Sequence, residues 1–446
     1  MKIFGGVKIW KWMGVLTVLA LTGWGCANMG STTIKISSWG DPKENAILQD
    51  LVENFNKTHP KIKVELQRVS WGEYNTKLLT QVAGGIAPDV IFVSTDNIAD
   101  LYPRNILEPL DDYIKADNFS TTDFYPSVLN RFTVNGHLYV LPRDTSPICV
   151  VYYDKKAFDE VKLPYPTDDW SWNDLLTDAR ALTKRDETGH ATQWGYTEDW
   201  PMLELWTYSA GARWANDSQN PSAYAFNTPA FVDALQYRTD LILKEKVMPG
   251  PSNMTAMGGM GTSDLFQNGT SAMFVSGIWK TPQFRDIKNF DWDVVMFPKG
   301  PTGLRGFPGG GSGYGILNTS KNKKAAWEFI KYIAGPEGEA KMASTGLSQP
   351  ALKSVAESPA FVDNQKPLNK KFLLKAVDFS VYPPMTKDWS EIYQGSITPV
   401  FDQLWIGKIT AQEAIDQLAE TLKNKPLISE ITGSPSASTA ANPAAK

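Results

Sequence analysis

The chain has 446 residues, of which 44 are basic and 48 are acidic, so its net charge at pH 7 is −4. This balance provides no basic surface for nucleic acid or for anionic membranes, and it argues against both as partners. The only two cysteines are Cys26 and Cys149, which excludes a disulfide framework within the fold. Cys149 lies in an apolar run, so we predict it to be a core residue rather than a nucleophile.

The N-terminus has the features of a bacterial secretion signal. Three lysines precede the apolar run Val15–Leu21, which is much shorter than the roughly 20 residues of a membrane-spanning helix. Cys26 follows that run, as in a bacterial lipoprotein, where this cysteine is acylated. We predict a lipoprotein signal peptide over 1–25, lipid attachment at Cys26 and a polar tether over 26–32. An ordinary secretory signal, cut at a nearby small residue, is the alternative.

The next part of the chain alternates between strand and helix patterns. Runs of β-branched and apolar residues predict strands, and apolar residues at helical spacing predict the helices between them. Such alternation indicates an α/β fold with a mostly parallel sheet. The predicted strands are Thr33–Ser38, Ile62–Arg68 and Val90–Val93, and the predicted helices are Asn45–Asn56 and Tyr74–Ala83.

The middle of the chain contains the most informative stretch, which runs from Asn135 to Thr183. A turn signal and two short apolar runs are followed by a Pro-rich segment and an amphipathic pattern. The predicted elements are a tight turn at Asn135–Gly136, a strand over Leu138–Leu141 that stops at Pro142, a buried strand over Ile148–Tyr153 and a helix over Trp172–Leu182.

This stretch resembles the middle of the family 1 extracellular solute-binding proteins. The family pattern reads approximately dGkxYglP, then lyYNkdxF, then TWdEll. The positions that match are Gly136, Tyr139, Pro142, Tyr153, Phe158 and Trp172, whereas Asp154 replaces the usual Asn and Ser171 the usual Thr. Further segments are similar to family motifs, among them PDV at 88–90, FQNGTSAM at 266–273 and SGIW at 276–279. The resemblance extends from Thr33 to about Lys425.

The resemblance implies a two-lobed periplasmic-binding-protein fold of type II, in which the chain crosses between lobes three times. The roughly 400 residues beyond the leader also favour two lobes over a single core. We expect the crossings near Pro147, Pro298 and Pro350, where hinge rotation can be absorbed. The expected N-terminal lobe is 33–147 with 299–350, the C-terminal lobe is 148–298 with 351–432, and 433–446 is a disordered tail.

Tryptophan is unusually frequent, with 16 in the chain and 13 beyond the leader, and its flat ring suits stacking on sugar rings. Apolar surroundings predict core positions for Trp172, Trp292, Trp327 and Trp405, whereas polar or Gly/Pro-marked surroundings make candidates of Trp39, Trp71, Trp200, Trp206, Trp214, Trp279 and Trp389. Ligands of open α/β sheets bind beyond the carboxyl ends of the strands. Polar residues that follow predicted strands are therefore candidates too.

The ligand-binding set combines these arguments with the resemblance, which by itself implies Asp96, Trp279, Gly310, Gly311 and Trp389 as cleft residues. Carboxylates accept charge-assisted hydrogen bonds from sugar hydroxyls. A helix N-cap is the alternative role for Asp96, and a plain turn is the alternative for the glycines. The predicted set is Trp39, Asp41, Trp71, Asp96, Asn97, Asp144, Trp200, Trp279, Gly310, Gly311 and Trp389.

No catalytic motif with a recognised spacing occurs, and His59, His137 and His190 are too far apart to indicate a metal site. We therefore predict no enzyme activity, no cofactor and no metal. The resemblance implies a binding component of an ABC importer, which delivers its ligand to permease subunits. With the candidate tryptophans and Cys26, we predict a monomeric, lipid-anchored, extracytoplasmic protein that binds a carbohydrate, favoured to be an oligosaccharide. The alternatives are a binding protein for a non-sugar solute and a secreted glycoside hydrolase.

Overall fold

The computed structural model describes residues 31–258 and 260–427. The predicted signal peptide, Cys26 and the tail over 433–446 lie outside the described residues. Each lobe of the described part contains one central sheet with helices packed against it. None of the helices in these two ranges combines the length and the apolar character that a membrane crossing requires.

The first lobe has a five-stranded sheet whose first three strands are parallel, as predicted. The other two strands are antiparallel to their neighbours. In spatial order the strands are Ile62–Val69, Thr32–Trp39, Val90–Ser94, Gly311–Ile316 and Leu141–Thr145. The helices of this lobe are Pro42–Thr58, Trp71–Ala83, Ile98–Leu101, Asp111–Ala116, Pro126–Arg131, Lys323–Ile333, Pro336–Thr345 and Lys353–Ala356, with a 3-10 turn at Tyr102–Arg104.

The first helix starts three residues before its predicted start. Asp41 is its N-cap and accepts a hydrogen bond from the Glu44 amide at 2.9 Å, and Pro42 takes the first helical position. Hydrophobic periodicity does not detect such capping residues, because they lie outside the apolar stripe. Leu51 and Phe55 of this helix are fully buried in the first core.

The prediction of a strand over Leu138–Leu141 is wrong. Val134 and His137 pair across the turn at Asn135–Gly136, whose φ angles of 52° and 81° suit a type I′ hairpin. The sheet strand is instead Leu141–Thr145, and it includes Pro142. Proline is tolerated there because this strand lies at the edge of the sheet, where one side needs no amide donor.

The second lobe has a four-stranded mixed sheet. Its strands, in spatial order, are Thr197–Glu198, Met273–Ser276, Val150–Asp154 and Trp292–Met296. This lobe also has two short two-stranded sheets, which pair Lys184–Arg185 with Ala191–Gln193 and Phe307–Pro308 with Ser380–Val381. The helices are Lys155–Glu160, Trp172–Leu182, Leu203–Ser209, Pro229–Leu243, Pro251–Ala256, Thr262–Gln267, Thr281–Phe284, Leu373–Ala376, Trp389–Ile392, Thr398–Trp405 and Ala411–Leu422. The 3-10 turns are Ile278–Lys280, Lys370–Phe372 and Val377–Phe379, and Tyr393–Ile397 is a π-helix.

Two hydrophobic clusters stabilise the second lobe. One surrounds the sheet, and the other joins the C-terminal helices to Leu203–Ser209 and Pro229–Leu243. Cys149 is fully buried in the first of these clusters, as predicted, and burial raises the pKa of its thiol. The four tryptophans predicted to lie in the core are all buried: Trp172, Trp292, Trp327 and Trp405.

The chain leaves the first sheet after Thr145 and enters the second at Val150. The return crossing is not at Pro298. Lys299 exchanges backbone hydrogen bonds with the second lobe, and Pro308 still pairs with Val381 there. The crossing lies between Pro308 and Gly311, where the chain joins the first sheet.

The third crossing also lies further along the chain than predicted. Lys353 donates its amide to the Asp123 carbonyl of the first lobe at 2.9 Å, and Val355 belongs to the first core. Phe361 is the next large apolar residue, and it belongs to the core of the second lobe. The crossing therefore lies between 356 and 361. It is not at Pro350, because the short helix Lys353–Ala356 that follows Pro350 still packs in the first core.

The two lobes are in contact across the cleft. Lys43 Nζ lies 2.6 Å from Asp286 Oδ2, and Ser390 Oγ donates to Asp100 Oδ2 at 2.6 Å. In each pair the first-lobe residue follows the carboxyl end of a sheet strand. The lobes therefore touch at two points beside the carboxyl ends of the first-lobe strands.

Candidate functional site

The carboxyl ends of the parallel strands in both lobes point towards the hinge. Trp39 ends one strand of the first sheet, and Asp96 follows the next strand, which ends at Ser94. In the second lobe, Trp200 and Trp279 follow the parallel strands that end at Glu198 and Ser276. The fold thus brings the loops of both sheets to the same interlobe cleft, as expected for ligand sites of open sheets.

Trp200 and Trp279 form a parallel aromatic pair on the second lobe. Their ring centroids are 6.4 Å apart and their planes differ by 11°. Trp200 is 42 % exposed and Trp279 is half-buried. The Trp279 ring lies directly over Gly277, where an added Cβ would come within 1.9 Å of it. Glycine at 277 is thus required for this ring position.

Asp199 fixes the turn that carries this aromatic pair. Its Oδ2 accepts a hydrogen bond from Ser276 Oγ at 2.8 Å, and Lys280 Nζ lies 3.4 Å from the same oxygen. These contacts tie the loop after one strand to the loop after its neighbour. The pair is therefore a preformed surface of the kind that suits the apolar face of a sugar ring.

Trp39 and Trp71 form a second aromatic group, on the first lobe. Trp71 begins the helix Trp71–Ala83 and is 59 % exposed, with its ring edge-on to Trp39 at 4.7 Å. Trp39 is half-buried and packs against Phe92 at 4.2 Å. Trp71 thus presents the accessible ring of this group, and Trp39 supports it from the core side.

Asp96 lies beside Arg131 in the cleft. Asp96 is exposed. Desolvation by the surrounding protein nevertheless raises the pKa of its carboxyl to about 6, although the positive charge of Arg131 acts in the opposite direction. Arg131 is 1 % exposed and donates its Nε–H to the Thr95 carbonyl at 2.8 Å. Burial lowers the pKa of Arg131 to about 10, so the guanidinium remains charged.

Glu204 faces this group from the second lobe. Its Oε1 accepts hydrogen bonds from Trp214 Nε1 at 3.1 Å and from the Tyr393 hydroxyl at 2.8 Å. Burial raises the pKa of Glu204, and the negative charge of Asp96 adds to the rise. A cavity of about 150 Å³ lies next to this group, with Tyr208, Ser218 and Tyr382 among its lining residues.

A buried ion cluster lies where the first lobe meets the hinge. The Arg143 guanidinium is 2.6 Å from Asp144 Oδ2 and 3.6 Å from Glu44 Oε1. Asp144 Oδ2 also accepts from Ser312 Oγ at 2.6 Å, and Asp144 Oδ1 accepts from the Ser312 amide at 3.0 Å. Burial raises the pKa of Glu44 to about 7 in spite of Arg143. Both oxygens of Asp144 therefore bind the protein itself.

Comparison with known proteins decides the family. The model of the family described as bacterial extracellular solute-binding protein matches residues 39–340. This chain belongs to that family. The two-lobed fold is confirmed by a solved ABC substrate-binding protein from Listeria monocytogenes in complex with cycloalternan, with a TM-score of 0.79 and 27 % identity, covering 88 % of this chain and 100 % of that one.

Two relatives show the range of solutes found among similar proteins. The galactooligosaccharide-binding protein of Bacillus subtilis is 24 % identical over 415 residues, covering 90 % of this chain and 93 % of that protein. The sn-glycerol-3-phosphate-binding periplasmic protein of Pectobacterium atrosepticum is 24 % identical over 407 residues, covering 84 % and 86 %. The identity of these two relatives is equal, so similarity alone does not separate a sugar from a phosphate ester.

Some predicted site residues of this solute-binding protein have structural roles instead. Asp41 caps the first helix, as described above. Asn97 is 5 % exposed, accepts from the Ser94 amide at 2.8 Å and donates to Asn75 at 3.1 Å. Asn97, and not Asp96, directly precedes the helix Ile98–Leu101, and its side chain makes no capping hydrogen bond to that helix.

The glycines Gly310 and Gly311 lie in the hinge. A Cβ on Gly310 would come within 2.1 Å of the Ser146 carbonyl oxygen, and the Gly310 carbonyl accepts from the Ser146 amide at 3.0 Å. The close backbone approach is therefore to the other hinge segment. The sequence therefore predicts correctly that glycine permits a close approach here, but the group that approaches is the Ser146 backbone and not a ligand.

Trp389 is a further correction, because it is buried rather than part of an open loop. Only 6 % of it is exposed, and its ring lies against Trp214 at 5.6 Å and Tyr393 at 5.9 Å. Trp214 and Trp206, two other candidates, are fully buried as well. Trp206 donates its Nε1–H to Glu198 at 2.7 Å.

Arg131, Glu204 and Glu44 are cleft or hinge residues that sequence reasoning missed. Arg131 ends a short helix, and Glu204 lies in the first turn of another, where a charged residue normally faces solvent. Glu44 lies three residues after Asp41, so proximity to a strand end was an available signal. Among the described residues, no group of three or more His, Cys, Asp or Glu side chains is arranged to hold a metal ion.

Proposed function

We propose that this protein captures a neutral oligosaccharide in the interlobe cleft and delivers it to the permease of a carbohydrate ABC importer, without changing it chemically. The observation that carries the proposal is the preformed pair of Trp200 and Trp279, which follows the ends of second-lobe strands. Asp96 and Glu204 add carboxylates from the two lobes. Aromatic faces with a few polar groups that fix orientation are the usual composition of sugar sites. A galactooligosaccharide-binding relative and a neighbour bound to cycloalternan support this class of ligand.

An sn-glycerol 3-phosphate ligand is the second candidate, because a relative binds it and because Arg131 is a buried cation in the cleft. The electrostatics favour the sugar. A phosphate at Arg131 would lie near two carboxylates, Asp96 and Glu204, and like charges at short range are destabilising in a poorly solvated site. Hydroxyl groups, in contrast, donate to carboxylates and accept from a guanidinium.

A thermal-shift screen tests the function. Maltotriose, a galactooligosaccharide mixture, cycloalternan and sn-glycerol 3-phosphate are added separately to the mature protein. A ligand at 100 times its Kd stabilises the folded state by about 2.7 kcal/mol, so the correct sugar raises Tm by several degrees. Stabilisation by sn-glycerol 3-phosphate alone would favour the second candidate. Chromatography of the recovered sugar is expected to show no hydrolysis product.

We further propose that Cys26 carries the lipid anchor and that the protein acts as a monomer outside the cytoplasm. The basic leader and the apolar run before Cys26 support the anchor. Intact-mass measurement of membrane-extracted protein is expected to show an acylated N-terminal cysteine. Cys26→Ser is expected to abolish the added mass, and an unmodified wild-type mass would contradict the anchor.

A further inference from the structure

Arg131 has an unusual place for a buried arginine. Its Nη1 donates to the Ser218 carbonyl of the second lobe at 3.4 Å, while its Nε binds Thr95 of the first lobe. The guanidinium therefore lies between the lobes. Its Nη2 is buried and has no hydrogen-bond partner. An unpaired charged donor is costly when buried, so this position calls for an acceptor that arrives with a ligand.

The surroundings of Arg131 define the chemistry of that acceptor. Asp96 is its main electrostatic partner, Tyr382 lies under the guanidinium at 5.5 Å, and Tyr208 is a further neighbour. Glu204 approaches Asp96 from the other lobe. The Arg131 guanidinium, a donor, thus lies near two carboxylate acceptors: Asp96 of the first lobe and Glu204 of the second.

We propose that Arg131 and Glu204 bind the ligand together with Asp96, and that these three residues recognise adjacent hydroxyl groups of one neutral sugar ring. This inference rests on the proposed function. Arg131 Nη2 donates to a sugar oxygen, and the two carboxylates accept from the hydroxyls next to it. Because acceptors come from both lobes, the site is complete only in the closed form. Two carboxylates around one guanidinium disfavour anionic ligands.

Arg238 provides a matched control. It is also buried and also has one unpartnered nitrogen, Nη1. Its other nitrogens bind Glu198 at 2.7 and 2.9 Å within the second lobe, and Trp405 lies under it at 4.1 Å. Arg238 therefore resembles Arg131 in burial and charge but lies in a closed ion pair inside one lobe.

The test compares wild type with Arg131→Lys, Glu204→Gln and Arg238→Lys. Calorimetric titration uses the neutral sugar that gives the largest thermal shift in the panel above, and unfolding of each unliganded variant is recorded. We expect Arg131→Lys and Glu204→Gln to raise Kd about tenfold or more, since hydrogen bonds to charged groups contribute that much. Arg238→Lys is expected to lower Tm and leave Kd unchanged.

Three results would overturn the assignment. Wild-type Kd in both Arg131→Lys and Glu204→Gln would remove these residues from the site while leaving the sugar-binding function intact. Binding of sn-glycerol 3-phosphate that is lost in Arg131→Lys would make Arg131 an anion-binding residue instead. If no neutral sugar in the panel stabilises the protein, the proposed function fails, and this assignment fails with it. Glu204→Gln keeps the test valid if Arg131→Lys does not fold.

Discussion

Trp279 and Trp389 lie in the same lobe, and the sequence predicts that both stack on the ligand, yet the structure surrounds them differently. Trp279 is half-buried and parallel to the exposed ring of Trp200. Trp389 is 6 % exposed, with Trp214 and Tyr393 against it. A ring can bind a sugar only through a face that the sugar can reach. The neighbours of each ring therefore decide whether it contributes to binding or to stability.

The largest effect is expected from Trp389→Ala. Removal of a buried tryptophan leaves a cavity and typically costs about 3–5 kcal/mol of unfolding free energy. Because only 6 % of Trp389 is exposed, we expect the Kd of the folded fraction to stay at the wild-type value. Denaturant unfolding and calorimetric titration measure the two quantities. An unchanged stability with weakened binding would return Trp389 to the ligand site.

Trp279→Ala is the opposite case. Loss of a stacking surface is expected to weaken sugar binding by about 2 kcal/mol, as for anchor residues in other interfaces. The unliganded melting temperature should change much less than in Trp389→Ala, because Trp279 is only half-buried. Equal affinities for wild type and Trp279→Ala, measured with the sugar from the thermal-shift screen, would disprove the stacking role.

The affinity for the sugar is expected to depend on pH through the carboxyl group of Asp96, and the comparison of a cleft residue with a residue elsewhere in the fold can be repeated for carboxyl groups. Asp96 has a pKa of about 6, so it is ionised at pH 8 and mostly protonated at pH 5. If the ligand needs the ionised acceptor, affinity falls by about tenfold over this interval. Asp96→Asn is expected to remove most of this dependence.

Asp178 is the control for that experiment. Burial also raises the pKa of its carboxyl to about 6, but it lies in the helix Trp172–Leu182 of the second lobe. Asp178→Asn is expected to keep the pH dependence of the wild type. Loss of the dependence in both variants would mean that the affinity follows global stability rather than the cleft carboxylate.

The smallest effect is expected from Glu44→Gln. The pKa of Glu44 in the folded protein is about 7, above the ordinary value of 4.5. Between pH 4.5 and pH 7 the folded state therefore keeps a proton on Glu44 that the unfolded state has released. Wild-type stability therefore falls as pH rises from about 4.5 to 7. The glutamine avoids this cost but loses the Arg143 ion pair, so we expect a gain of about 1 kcal/mol at pH 8 and almost none at pH 5. Denaturant unfolding at both values checks the sign.

The sequence by itself determined the α/β class, the first three parallel strands and the hairpin turn at Asn135–Gly136. It also determined the core positions of Trp172 and Trp292, because periodicity and turn chemistry are local properties. Aromatic and carboxylate residues after strand ends were recognisable for the same reason: parallel strands place their carboxyl ends at one edge of a sheet.

Only the tertiary structure decided which of these residues reach the cleft. Trp389 and Asp144 have the expected residue types, but neighbours distant in sequence bury the ring of Trp389 and bind the oxygens of Asp144. The hinge crossings moved beyond Pro298 and Pro350 because backbone pairing and core packing hold those segments in their lobes. Arg131 lies beside Asp96 through packing within the first lobe, and Glu204 of the second lobe comes close to Asp96 only because the two lobes are in contact. Long-range packing and desolvation control these features, and a linear pattern does not contain them.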